Sequence, residues 1–228
     1  MIGEPSNIAR EGFSIHPGVF APAEMQTVVE ALGDAALPRT RAGARHVLGV
    51  PAVRSLALDP RMAAIARDYL GPTVIPYRAT LFDKSAAANW LVVWHQDTAL
   101  PIVQRVDHPA WGPWSVKRGV LCAIAPAAAL EHIVALRVHL DDSTRDNGPL
   151  RVLPGSHDRG LLADAEIHAL AAAIPAVECL ASAGGVVAMR PLTVHASSKA
   201  TSDHPRRVMH IEFSSTLDLR NGVTLAQG

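Results

Sequence analysis

Trp90-Leu91-Val92-Val93-Trp94-His95-Gln96-Asp97 is an apolar run that ends in a histidine and a carboxylate. A short apolar run with β-branched and aromatic residues is typical of a buried strand. Because side chains two positions apart on a strand point to the same side, His95 and Asp97 are expected to share a face. Together they offer two of the three ligands of a 2-His-1-carboxylate Fe(II) site. The alternative is a hydrogen-bonded His–Asp pair at a strand end, without a metal.

The chain before this stretch predicts helices. Apolar residues recur at helical spacing from Pro22 to Gly33 and again from Pro60 to Leu70, and a short helix is predicted from Val50 to Leu58. After Thr73 the pattern changes to short apolar runs between Gly, Pro and Asn turns, which indicates about eight strands. The clearest strands are Val74 to Phe82, Ile133 to Leu140, Gly185 to Arg190 and Arg207 to Ser214.

Helices followed by many short strands favour a β-sandwich or jelly roll. We therefore predict a mainly β fold with flanking N-terminal helices. Residues 1–228 contain no internal repeat or low-complexity linker, so a single domain is expected. Thr98 to Arg118 is predicted to be a long loop or lid, since long connections in compact domains are usually functional.

Composition limits the classes of partner. The 228 residues are 49% hydrophobic and 18% charged, which is typical of a globular protein. A net charge of zero with no basic run argues against nucleic acid. We expect no membrane span and no secretory signal, hence a cytoplasmic location with Cys122 and Cys179 as reduced, buried thiols. The expected partner is a small-molecule substrate, and the sequence does not indicate an oligomeric state.

A third ligand would have to come from a later strand. His195 ends the run Val186 to Val194, about a hundred residues after His95. Arg206 follows eleven residues later, and a guanidinium can bind a carboxylate through two hydrogen bonds. In an Fe(II) site with open positions, a 2-oxo acid could chelate the metal while Arg206 held its distal carboxylate. Ser197 could add a hydroxyl group.

Six motifs in this order and spacing resemble the phytanoyl-CoA dioxygenase family of Fe(II)/2-oxoglutarate oxygenases. They are Thr80–Lys84, Trp94–Asp97, Leu136–Asp142, Asn147–His157, Arg190–Ser198 and Arg206–His210. The resemblance covers roughly residues 74–214 and implies a double-stranded β-helix, a cupin-like jelly roll. It also implies hydroxylation of a substrate with O2 while 2-oxoglutarate is converted to succinate and CO2. Related halogenating enzymes replace the carboxylate ligand with a small residue, so the presence of Asp97 points away from halogenation.

The resemblance also implies roles for individual residues. His95, Asp97 and His195 would bind iron, and Arg206 and Ser197 would bind 2-oxoglutarate. Arg137 matches a position beside the cosubstrate that is aromatic in some members of the family.

Further residues are candidates for substrate contact. His139 would line the cavity or bond to a neighbour. His157 would lie at the cavity mouth or in a structural turn, and Trp111 would contact substrate or pack. Arg41, Arg45 and His46 form either a solvated basic loop or a pocket rim that meets an acidic ligand.

Two other functions fit the same residues. The first is a jelly-roll protein that binds a small molecule or a metal without turnover. The second is a metal-dependent hydrolase, in which Arg206 would have no evident purpose.

Overall fold

A computed structural model describes residues 6–37, 39–40, 42–85 and 88–228 of the chain. Its helices are α1 (Ser6–Glu11), α2 (Pro22–Asp34), α3 (Pro51–Ala57), α4 (Pro60–Leu70), α5 (Ala127–Leu130) and α6 (Asp164–Ala173). Its strands are β1 (Phe13–His16), β2 (Gly43–Arg45), β3 (Ile75–Lys84), β4 (Val92–His95), β5 (Ala99–Pro101), β6 (Trp114–Lys117), β7 (Val120–Ile124), β8 (Ile133–His139), β9 (Leu150–Val152), β10 (Val177–Cys179), β11 (Val186–Met189), β12 (His195–Ser197) and β13 (Arg206–Ser214). No helix in these ranges is both long and apolar enough to cross a membrane.

Two antiparallel sheets form the body of the fold. The larger has the order β1-β11-β8-β13-β3-β2, and the smaller has the order β10-β9-β12-β4. The chain passes from one sheet to the other between β3 and β4, β8 and β9, β10 and β11, β11 and β12, and β12 and β13. This alternation is the connectivity of a jelly roll. The prediction of a mainly β fold with helices before the strands is confirmed, and the described strands do not close into one continuous barrel.

Strand β13 shows how one segment serves both the core and the cavity. Its side chains alternate, because successive residues of a strand point to opposite faces. Met209, Ile211 and Phe213 are almost completely buried in a core shared with α2, α3 and α4. Burial of each such side chain stabilises the fold by roughly 1.5–3 kcal/mol. The opposite face carries Arg206, Val208, His210 and Glu212 towards the smaller sheet.

The prediction that Thr98 to Arg118 is a loop or lid is wrong in part. β5 and β6 lie within this segment and pair with β7 in a third sheet of order β5-β7-β6. Pro101 and the Gly112-Pro113 pair interrupt the apolar pattern, so these strands are too short to be recognised by periodicity. Both cysteines are free and buried, as expected.

Candidate functional site

Two adjacent strands bring the predicted metal ligands together. His95 on β4 lies directly opposite His195 on β12 in antiparallel register. Asp97 follows β4, and its backbone N–H donates to the carbonyl of Pro191 over 2.9 Å, which fixes the chain as it leaves the strand. The carboxylate of Asp97 lies 3.8 Å from Nε2 of His95 and 3.6 Å from Nε2 of His195. One donor atom from each residue lies within 4.8 Å of the other two.

Backbone contacts decide which imidazole nitrogen is available to a metal. Nδ1 of His95 is 2.9 Å from the carbonyl of Val93, and Nδ1 of His195 is 2.9 Å from that of Thr193. A carbonyl only accepts hydrogen bonds, so each Nδ1 must carry the proton. Both Nε2 atoms therefore present a lone pair to the space beside Asp97, as metal binding requires.

Gln96, which lies between the ligands His95 and Asp97 in the sequence, points to the opposite side of the chain. Gln96 donates through Nε2 to the carbonyls of Gly160 and Leu192, both at 2.8 Å, and accepts from the N–H of Leu162 at 2.9 Å. Its amide is thus fully bonded on the face opposite His95 and Asp97, as strand alternation requires. These bonds hold the ligand-bearing segment against the β11–β12 connection, through Leu192, and against the segment before α6, through Gly160 and Leu162.

The charge states of the cluster suit a divalent cation. Burial lowers the pKa of His195 to about 4, so this imidazole is neutral at pH 7. Burial alone would raise the pKa of the Asp97 carboxyl. Electrostatic interactions with His195, His210 and His95 and with the Arg78 guanidinium outweigh burial and hold that pKa below its usual value. Neutral imidazoles and an ionised carboxylate are the form in which these groups bind metal. The residues present therefore fit a 2-His-1-carboxylate iron centre.

A cavity of about 300 Å³ opens beside this cluster. Arg206 and Ser197 line its inner end, and Lys84 lies behind Ser197. Lys84 and Arg206 are opposite each other on β3 and β13, and Nζ of Lys84 donates to Oγ of Ser197 at 2.8 Å. Arg206 is only 3% exposed, and its contacts to the Asn147 carbonyl (3.3 Å) and to Oγ of Ser197 (3.4 Å) are long.

This inner end is electropositive and incompletely bonded. Nη1 of Arg206 is buried and has no hydrogen-bond partner among the described residues. Burial is the main cause that lowers the pKa of the Arg206 guanidinium, and the neighbouring Arg137 is the second. Burial, followed by the nearby Arg206, lowers the pKa of Lys84 to about 8. Two adjacent buried cations without an anion are unfavourable, so the arrangement is suited to a bound carboxylate.

A row of polar side chains crosses the larger sheet at His210, four residues along β13 from Arg206. Arg45, Thr80, His210 and Arg137 are opposite one another on β2, β3, β13 and β8, and all four line the cavity. The next row contains Arg78 and Glu212, which form an ion pair. No role is predicted from the sequence for His210, Lys84, Arg78 or Glu212. The alternation along β13 was visible, but which face lines the cavity depends on the packing of the sheets.

Hydrogen bonding sets the tautomer of His210. Nη1 of Arg137 lies 3.0 Å from Nδ1 of His210, and a guanidinium can only donate, so Nδ1 accepts. Burial lowers the pKa of His210 to about 4, so the ring is neutral with its proton on Nε2. Nε2 lies 3.8 Å from the carboxylate of Glu212, and that carboxylate accepts a hydrogen bond from the hydroxyl of Tyr77 at 3.2 Å.

The three residues predicted from the sequence to contact the substrate lie outside the cavity lining. His139 is buried one row inward from Arg137, outside the cavity lining, and neither of its ring nitrogens has a partner among the described residues. His157 lies outside the cavity lining and contacts the carbonyl of Ala9 through Nε2 at 3.0 Å. Trp111 is buried in the apolar cluster beside the third sheet. The structure thus brings none of them to the cavity.

The basic loop of the sequence analysis is divided by the structure. Arg41 lies outside the described residues. Arg45 lines the cavity, while His46 lies apart from it, beside the last residue Gly228. Arg207, next to Arg206, faces the other way and pairs with Asp141 at 2.6 Å.

Known proteins are similar to this chain, some in sequence and others in fold. L-proline trans-4-hydroxylase of Streptomyces griseoviridis is 28% identical over 181 residues, which are 68% of this chain and 60% of that enzyme. The chain therefore spans less than two thirds of this relative.

Among solved structures, the non-haem α-ketoglutarate-dependent carbocyclase SnoK from nogalamycin biosynthesis superposes with a TM-score of 0.72 and 19% identity, over 98% of this chain and 85% of that one. EctD from S. alaskensis, solved with 2-oxoglutarate and 5-hydroxyectoine, gives a TM-score of 0.70 and 20% identity, over 92% and 74%. Both likenesses show the shared fold.

A family model covers most of the chain. The model described as phytanoyl-CoA dioxygenase (PhyH) matches residues 8–208, a range that includes the His95, Asp97 and His195 cluster and Arg206. The chain belongs to the phytanoyl-CoA dioxygenase (PhyH) family.

Proposed function

We propose that this protein is an Fe(II)- and 2-oxoglutarate-dependent oxygenase that hydroxylates a small molecule, and that residues 1–228 form one catalytic domain. The observation that carries the proposal is the pairing of two sites in one cavity. At one side lie His95, Asp97 and His195 with their donor atoms turned inward, and at the inner end lies the unpaired guanidinium of Arg206.

His95 and His195 would hold iron through Nε2, and Asp97 through a carboxylate oxygen. The backbone carbonyls that bond to each Nδ1 keep both rings in the required orientation. Bound Fe(II) would supply the activation of O2. One oxygen atom would enter succinate as 2-oxoglutarate loses CO2, and the other would enter a C–H bond of the substrate.

Arg206 would bind the distal carboxylate of 2-oxoglutarate. Ser197 would orient it, since its hydroxyl lies between Nζ of Lys84 and the Arg206 guanidinium. Lys84 adds a second positive charge at this end of the cavity. The apolar residues around the cavity, among them Phe82, Trp90 and Leu150, would limit water near the reacting groups.

Turnover of 2-oxoglutarate without added substrate tests the proposal. Protein purified without chelator is supplied with Fe(II), ascorbate and 2-oxoglutarate in air, and succinate is measured. We expect slow succinate formation that stops under nitrogen and in His95→Ala. His168→Ala, which removes an exposed imidazole far from the cavity, serves as the matched control and should retain turnover.

Two results would contradict the proposal. If neither succinate nor Fe(II)-dependent binding of 2-oxoglutarate is detected, the protein is better described as a binding protein. Hydrolysis of a substrate in the absence of O2, dependent on the same three ligands, would instead identify a metal hydrolase.

A further inference from the structure

The cavity contains more positive charge than the proposed reaction uses. Its described lining includes four arginines (Arg45, Arg78, Arg137 and Arg206) and two carboxylates (Asp97 and Glu212). The arginines of the lining therefore outnumber its carboxylates by two.

Each charge of the proposed reaction can be assigned a partner. A divalent metal is neutralised by Asp97 together with the chelating carboxylate of 2-oxoglutarate, and Arg206 is neutralised by the distal carboxylate. Arg78 is already paired with Glu212. Of the four arginines of the lining, Arg45 and Arg137 are left, and no salt bridge among the described residues neutralises either of them.

Leaving Arg137 without an anionic partner costs more free energy than leaving Arg45 without one, because Arg137 is buried. Its side chain is 7% exposed, and Nε is buried without a hydrogen-bond partner in the described structure. It donates through Nη1 to His210, and its guanidinium lies 5.2 Å from the centre of the Phe82 ring. These contacts orient the guanidinium without neutralising it, and a buried unpaired charge is strongly unfavourable.

Arg45 occupies the other end of the same row. It is exposed and lies at the rim of the cavity, opposite Thr80 on β3. An exposed cation at a cavity entrance attracts anions from solution and raises their association rate. The two arginines thus mark an inner and an outer point along the wall that faces the metal ligands.

We propose that the substrate of this site is a small molecule with an oxyanion, a carboxylate or a phosphate, which Arg137 binds within the cavity and Arg45 attracts at its rim. The inference rests on the proposed function and deepens it. A cavity of about 300 Å³ that also admits 2-oxoglutarate restricts the enclosed part of the substrate to a small group. A guanidinium binds either oxyanion through two parallel hydrogen bonds.

Matched probes test this inference without knowledge of the natural substrate. Butyrate, butyramide and butyl phosphate differ in the terminal group, as do cyclopentanecarboxylate and its amide. Each is titrated calorimetrically, in the absence of oxygen, into protein loaded with Fe(II) and 2-oxoglutarate. We expect the acid of each pair to bind about 10- to 100-fold more tightly than the amide, the effect of a charge-assisted hydrogen bond. Butyrate against butyl phosphate shows which oxyanion is preferred.

Three variants locate the preference. Arg137→Gln should abolish the preference for acids, with the affinity for 2-oxoglutarate unchanged. Arg45→Gln should weaken the dependence of acid association on salt concentration, with a smaller effect on the dissociation rate. Arg145→Gln removes an exposed guanidinium that pairs with Glu178 away from the cavity, and it should behave as the wild type.

The outcomes separate this inference from the proposed function. If acids and amides bind equally, or neither binds, while 2-oxoglutarate binds with Fe(II), the inference is overturned and the oxygenase proposal stands. If Arg137→Gln weakens 2-oxoglutarate binding and leaves the acid preference, Arg137 belongs to the cosubstrate site and the inference is likewise overturned. If 2-oxoglutarate fails to bind but acids bind through Arg137, the inference stands and the oxygenase proposal fails.

Discussion

Arg206→Met should separate affinity for the cosubstrate from stability of the fold. The substitution keeps an unbranched apolar stem in a buried place and removes the guanidinium. In the ligand-free protein that guanidinium makes two long hydrogen bonds and lies beside another cation, Lys84. Removing it costs these bonds and relieves the repulsion. We therefore expect the free energy of unfolding of the ligand-free protein to change by about 1 kcal/mol or less.

The cosubstrate complex should respond far more. Removal of one partner from a buried ion pair costs about 3–5 kcal/mol, and each 1.4 kcal/mol is roughly tenfold in affinity. Lys84 remains at the same end of the cavity, with Nζ 2.8 Å from Oγ of Ser197, and retains part of the attraction. The lower end of the range applies, so the Kd of 2-oxoglutarate should rise about 100-fold.

The assay is anaerobic titration of the Fe(II) protein with 2-oxoglutarate, together with thermal unfolding with and without 2-oxoglutarate. Arg207→Met is the matched control, since the neighbouring side chain faces outward and pairs with Asp141 at 2.6 Å. It should lower stability by up to about 1 kcal/mol and leave the Kd unchanged. A change of less than about fivefold in the Kd of Arg206→Met, or an equal change in Arg207→Met, would refute the reasoning.

Three further predictions concern other residues of the site. Asp97→Ala should abolish Fe(II) binding without unfolding the protein, so Fe(II) should raise the Tm of the wild type only; an unaltered metal affinity would sink the ligand assignment. Lys84→Met should raise the Kd of 2-oxoglutarate about tenfold, less than Arg206→Met, because an ammonium makes single rather than paired hydrogen bonds; a larger effect than that of Arg206→Met would reverse their ranking. His139→Leu should reduce acid sensitivity. The pKa of His139 is about 3 in the fold against 6.5 for an ordinary histidine, so below pH 6.5 the unfolded state takes up a proton and stability falls. Urea unfolding at pH 7 and pH 5 should show a loss smaller by about 1–2 kcal/mol in the variant, and an identical loss in both proteins would exclude His139 as the cause.

The metal cluster illustrates what a single sequence can predict. The spacing of His95 and Asp97 predicts a shared face because strand geometry repeats every two residues, whatever the rest of the fold does. His195 required more, since its place opposite His95 depends on pairing between β12 and β4 over a hundred residues. Only the order of several motifs made that pairing foreseeable.

Cavity residues that depend on register were not foreseeable. Lys84 and Arg206 lie on the same face because β3 and β13 pair with these two residues opposite each other, and a shift by one residue would turn one of the two side chains to the other face. Arg78 and Glu212 meet through the same pairing. For His157, the sequence indicated a turn but not its direction, and the turn packs against the N-terminal segment.

The place of β13 in the larger sheet has a consequence for how the chain folds during synthesis. It is the last strand among the described residues, yet it lies between β3 and β8 and pairs with both along most of its length. Until Arg206 to Ser214 leaves the ribosome, β3 and β8 have unsatisfied edges, which are prone to aggregation. A nascent chain that ends before this segment therefore cannot complete the sheet, and the cavity cannot assemble until this strand has been synthesised.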